Sequence, residues 1–170
     1  MNKKIGMGCF AIFLSVFYIA GFYVLGYGVW SALRSTQAAK WPTTPGTLTN
    51  LDLKESSDSD GTTYEVQVQY TYMVDGKEYH GNRLAFGYSG SSGSKAHLEI
   101  HDKLKAARSV DVRYDPGDPA SSVLSFGIHR SIWFALLFGI TWLAFVFGFT
   151  LVFWLMSRGD NVLLENLSVQ

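Results

Sequence analysis

The sequence predicts a membrane α plus β fold. Two transmembrane helices flank a small antiparallel β domain of five strands and one short helix, an order that an OB-like open barrel shares. Three observations carry this. Residues 5–33 and 131–157 hold no charged side chain. Residues 62–74 alternate apolar and polar side chains. Asp75-Gly76 follows at once, the strongest short hairpin signal a sequence can give.

The helices come first. A helix needs about 20 apolar residues to cross the hydrocarbon core, and the two uncharged stretches offer 29 and 27. Trp30 and Trp41 fall at or beyond the far end of the first, and Trp133 and Trp154 near the ends of the second, where the interface favours indole rings. A buried core helix is the rival reading, but the 86 residues of 41–126 are too few to surround two such helices. A cleaved signal peptide would start at Lys3 and Lys4. Its apolar stretch is about twice the usual ~7–15 residues and shows no small-residue cleavage site, so an uncleaved anchor is expected. Cys9 is the single cysteine, so no intrachain disulfide forms. It lacks the preceding apolar stretch of a lipoprotein cysteine and reads as a small packing residue.

The chain therefore divides into a tail with the first transmembrane helix (1–34), a soluble β-rich domain (41–127), a second transmembrane helix (131–157) and a short C-terminal tail (158–170). Neither helix holds an acid or base within its span, which disfavours ion conduction or a proton relay and favours anchors. Thr141, Ala144 and Gly148 share one helical face, and Gly28 with Ala32 forms another small pair. Such faces let helices approach closely, within this chain, with another copy or with another protein. Lys3, Lys4 and Arg158 lie on one side of the two spans, and Arg34, Lys40 and Arg130 on the other. The dominance of the first helix and the length of the loop break this tie toward cytoplasmic termini and a domain outside the cytoplasm.

Within the domain, Trp41-Pro42-Thr43-Thr44-Pro45-Gly46 ends the first helix. A first strand is expected at 47–54 and a polar turn at 56–61. In 62–74, Tyr64, Val66, Val68, Tyr70 and Tyr72 point one way and Glu65, Gln67, Gln69 and Thr71 the other. A return strand at 77–86 completes a long hairpin. Residues 88–94 are rich in Gly and Ser and read as a flexible loop, and 95–107 as a helix capped by Ser94 with Leu98 and Leu104 buried. Val110, Val112 and Tyr114 share a face of the next strand. Asp115-Pro116-Gly117-Asp118-Pro119 is a turn, and 122–126 the last strand. Eight Lys/Arg against twelve Asp/Glu leave 41–126 at −4, which speaks against nucleic acid as a partner.

The pattern resembles the bacterial membrane-protein family called domain of unknown function 3592. The resemblance rests on Trp41-Pro42-Thr43 with Gly46, on Tyr70-Thr71-Tyr72 followed by Asp75-Gly76-Lys77 and Tyr79, and on Val110-Asp111-Val112-Arg113-Tyr114-Asp115-Pro116 with Asp118-Pro119 and Leu124. It covers about residues 41–127. It departs at Ala106-Ala107-Arg108, where the family pattern leads one to expect a Gly-containing turn. The resemblance implies a bacterial inner-membrane protein without an assigned activity. Its motif residues read as structural: aromatic core positions, a hairpin turn and a proline-bounded turn.

For chemistry, His97 and His101 lie four apart on the predicted helix and, with Glu99, Asp102 or His80, form the weak metal-binding candidate. Exposed histidines on a polar face are the commoner outcome. The Gly/Ser run ending at Lys95 lacks the Gly-Lys-Ser/Thr order of a phosphate loop and the nucleophile-elbow pattern. Asp111, Asp115 and Asp118 are accounted for by a strand and a turn. No catalytic constellation and no cofactor are expected. The expected function is a non-enzymatic protein-binding module held in the bilayer, with another envelope protein or a toxin as partner. An immunity protein against a membrane-targeted toxin is the concrete version implied by the resemblance. The alternatives are an accessory subunit of a larger membrane complex and a metal-binding or enzymatic domain.

Overall fold

The computed structural model describes residues 3–59 and 61–157, with side chains from residue 10 onward. The side chains of Lys3, Lys4 and Cys9 and the tail 158–170 that begins with Arg158 lie outside what is described. The elements run α1 (Lys3–Ala38), β1 (Thr43–Asp58), β2 (Gly61–Val74), β3 (Lys77–Gly81), α2 (Ser94–Ala106), β4 (Val110–Asp115), β5 (Asp118–Val123) and α3 (Arg130–Ser157). The chain divides into two compact units, one of Met1–Gly26 with Ala135–Gln170 and one of Tyr27–Phe134.

The first unit is a helix pair. Phe10–Ala38 and Arg130–Met156 are long and apolar enough to cross a membrane. In this unit Phe13, Val16, Ile19, Phe22, Phe145 and Phe147 expose more than half of their surface. Contact runs along a stripe of α3 at 139, 142, 143, 146 and 150, the spacing of one helical face. A Cβ on Gly21 would fall 2.6 Å from Leu143 Cδ2, and one on Gly139 2.9 Å from Leu25 Cα. Trp142 Nε1 donates to Phe17 O over 3.0 Å. Thr150 Oγ1 donates to Val146 O, which leaves its lone pair for the Tyr18 hydroxyl at 3.0 Å. Thr141 and Ala144 are exposed in this pair, and Gly148 has nothing within 4 Å of a Cβ position. Those small residues lie off the stripe, so the pair packs through Gly21 and Gly139 instead.

The second unit holds a five-stranded antiparallel sheet in the order β3-β2-β1-β4-β5. β1 pairs with β2 from Gly46↔Tyr72 to Asp58↔Gly61, and with β4 from Thr43↔Arg113 to Gly46↔Val110. Gly46 is squeezed where both ladders meet: a Cβ there would lie 2.9 Å from Thr71 O. The Leu124 and Ser125 amides donate to Leu84 O over 3.1 and 2.7 Å. The residues after β5 thus bond to those after β3, and the sheet curls into an open barrel. Inside it lie Val66, Val68, Tyr70, Tyr72 and Val74 of β2 with Val110 and Val112 of β4, covered by Ile100 and Leu104 of α2.

Several boundaries differ from the sequence reading. The long hairpin is β1–β2, because β1 runs through Ser56 and Ser57 to Asp58. This arm is exposed on both faces, so no alternation marks it. The return strand β3 stops at Gly81 rather than reaching 86, and β5 occupies Asp118–Val123 rather than 122–126. The Asp75-Gly76 turn forms as read, with both residues at positive φ of 50° and 78°. On α2, Gly93 rather than Ser94 holds the cap position and makes no side-chain bond. Leu98 is 43% exposed, while His97 is buried, so the inward stripe is 97, 100 and 104. At the Ala106-Ala107-Arg108 departure, Ala107 takes an extended conformation and its amide caps Leu104 O, which requires no glycine.

The unit also includes the last turns of α1 and the first turn of α3, beyond 41–127. Gly28, Ser31, Ser35 and Ala38 form a buried small-residue stripe, and Ala32 is half-buried. Gly87, at φ +70°, sits against this stripe, where an added Cβ would lie 2.8 Å from Ser31 Cβ. The Arg34 guanidinium bonds Asp115 at 3.2 Å and lies over the Trp41 and Phe86 rings. Arg113 donates to Ala39 O and Trp41 O and lies over Phe126. The motif residues Trp41, Arg113 and Asp115 thus tie the end of α1 to the sheet.

Candidate functional site

β3 pairs with β2 only from Tyr70↔Gly81 to Val74↔Lys77. A Cβ on Gly81 would collide with the Tyr70 ring, so this close approach requires glycine at 81. Beyond Gly81 the chain leaves the ladder. The Tyr70 hydroxyl donates to Arg83 O over 3.1 Å, and Leu84 O turns to the amides after β5. Residues 82–85 therefore stand off from β2. Between them lies a slot of about 370 Å³, lined by Glu65 to Gln69 on one wall, by Asn82 to Ala85 on the other, and by Asn50 and Tyr88.

Backbone direction along this wall follows from two bonds. Tyr64 N–H donates to Ser91 O over 2.9 Å, and Val66 N–H donates to the Tyr88 hydroxyl over 3.0 Å. Both amides point away from β1. The two-residue period then points the Val68 amide and the Val66 and Val68 carbonyls the same way, into the slot. The pairing with β3 begins only at Tyr70, so among the described residues no strand lies across from them.

One end of the slot is closed by a polar chain. The Tyr88 hydroxyl lies 2.7 Å from His97 Nδ1, and Ser91 Oγ lies 2.9 Å from His97 Nε2. The Tyr88 oxygen accepts from Val66 N–H; with the Tyr88 proton on His97 Nδ1, Nε2–H donates to Ser91 Oγ, and in the other tautomer the two roles reverse. A neutral imidazole satisfies every group in this chain. Burial pushes the His97 pKa below its ordinary value, against the opposing charge of Glu65. Burial raises that of Tyr88, with Val66 N–H acting the other way and Glu65 adding to the rise. Residues 87–94 are therefore pinned at Tyr88, at Ser91 and at Gly87, not a free flexible loop.

His97 and His101 do not converge. Both nitrogens of the buried His97 are bonded, His101 Nδ1 pairs with the exposed Asp102 at 3.2 Å, and His80 is exposed on β3. Among the described residues no three His, Cys, Asp or Glu side chains come together. The aromatic motif residues build the barrel instead. Tyr72 donates to Pro119 O and stacks on Tyr79 at 5.8 Å. Tyr70 meets Ser122 at 3.1 Å and, buried, has its pKa pushed up to about 12. Tyr114 is partly buried against the core, and Asp115 Oδ1 accepts Gly117 N–H across the turn that holds Pro116. The slot-lining Glu65, Asn82 and Tyr88 carry no motif that would mark them in advance. A 97, 100, 104 stripe was the available sign that His97 faces inward.

The model of the family described as Domain of unknown function (DUF3592) matches residues 44–129. No curated protein and no solved structure matches the chain.

Proposed function

Because this chain belongs to the Domain of unknown function (DUF3592) family, whose description assigns no activity, we propose its role from its own site: a non-enzymatic, membrane-anchored module that binds another protein. The observation that carries this is the slot beside β2, which lies beyond the end of the β2–β3 ladder and turns strand backbone toward open space. Both nitrogens of the buried His97 are engaged within the domain, which favours binding over acid–base chemistry. The two long apolar helices with outward-facing Phe, Ile and Val support anchorage in a bilayer. The domain then stands outside the cytoplasm, on the strength of the two leader lysines and the long loop. An immunity protein that blocks a membrane-targeted toxin would be one such module.

Photo-crosslinking in intact cells tests this. A crosslinking amino acid at Gln67 should join one protein partner, and the same group at Glu99 on α2 should not. Equal capture at both positions, or none at Gln67, contradicts the proposal. A periplasmic reporter inserted at 58–61 should be active; an active cytoplasmic reporter there reverses the orientation. An accessory subunit of a larger membrane complex is a second reading, favoured by the exposed Thr141 and Ala144 beside Gly148. It predicts crosslinks from Ala144 to the same fixed partner.

A further inference from the structure

We infer that the slot takes a single extended peptide segment of the partner, added as a strand against Val66 and Val68. This rests on the protein-binding reading above and names what is bound. The complement of a strand edge is another extended backbone, because its donors and acceptors alternate at the same spacing. The Val68 amide and the Val66 and Val68 carbonyls offer such a row, with no strand of the described residues opposite. The edge from Glu65 to Gln69, at about 3.4 Å per residue, accommodates some four to five residues of guest.

The geometry also says what the guest is not. Asn82 to Ala85 wall the far side, so the slot admits a lone strand and closes against the sheet edge of a second copy. Tyr88 and the Tyr64–Ser91 pairing stop it at one end, and the β2–β3 ladder at the other. Charge narrows the chemistry further. Glu65 lines one wall of the slot and Arg83 the other, where its guanidinium lies over the Phe86 ring, in a domain that carries −4 overall. The guest therefore carries a Lys or Arg on the side that faces Glu65 and no basic residue on the side that faces Arg83.

The test uses the full chain in nanodiscs and a random hexapeptide display library as probe. Enriched peptides should hold a basic residue, and Glu65→Lys should reverse that preference. N-methylation at alternate residues, those whose amides face β2, should weaken binding at least about tenfold, while methylation of the intervening residues leaves it within about twofold. Asn82→Trp and Gln69→Trp, on opposite exposed rims, should each block binding, with circular dichroism reporting that the fold is kept. No enriched peptide, or binding indifferent to the plugs or to N-methylation, overturns strand addition. A Gln67 crosslink with such indifference keeps the binding role and discards the strand. Loss of both discards the role itself.

Discussion

The Tyr88 hydroxyl lies 2.7 Å from His97 Nδ1 and 3.0 Å from the Val66 amide, so one phenol holds both a helix and a strand edge. Removing it leaves two buried polar groups without partners. Tyr88→Phe should therefore cost about 1–3 kcal/mol in chemical unfolding. Tyr64→Phe, which loses only an exposed 3.4 Å contact to Glu55, should stay within about 0.5 kcal/mol.

His97 gives the domain a pH dependence with a fixed sign. Its folded pKa is lowered by burial, so the unfolded chain binds its proton more readily. The stabilising contribution is complete above about pH 6.5 and is lost as pH falls below that toward the folded value. Protonation also makes both ring nitrogens donors, so whichever of Tyr88 and Ser91 donates to the neutral ring loses its acceptor. Melting temperature should drop more between about pH 7.5 and about pH 5 for the wild type than for His97→Gln.

Much of this was legible and some was not. Period-two alternation from Tyr64 to Tyr72 marked β2 and its inward face, and Asp75-Gly76 marked the turn. The extent of β3 is not legible, because its last residue, Gly81, is packed against the Tyr70 ring, a contact between residues in different strands. The slot exists because β3 is short, so it was hidden too. The Ser-rich arm of β1 was misread as a turn because both its faces are exposed and no apolar period remains. His97 was read as exposed because a histidine on a charged helix usually is. Its burial depends on Tyr88 and Ser91, nine and six residues away, which satisfy both its nitrogens.

The helix pair offers its own contrast. Gly139→Ala should destabilise by about 1–3 kcal/mol, since its Cβ would meet Leu25 at 2.9 Å. Gly148→Ala, with open space around it, should be neutral within about 0.5 kcal/mol. Thermal unfolding in detergent reads both.

Gly87→Ala meets two obstacles, a φ of +70° and Ser31 Cβ at 2.8 Å. It should cost about 2–4 kcal/mol and loosen residues 87–94. Limited proteolysis within that segment should rise accordingly.

The most direct test is amide hydrogen exchange at Val68 in the full chain. The account predicts that this amide exchanges faster than those of Val66 and Tyr72 in the free protein. A saturating bound peptide should slow it at least about tenfold. A Val68 amide already protected in the free protein, or unchanged by bound peptide, would contradict the account.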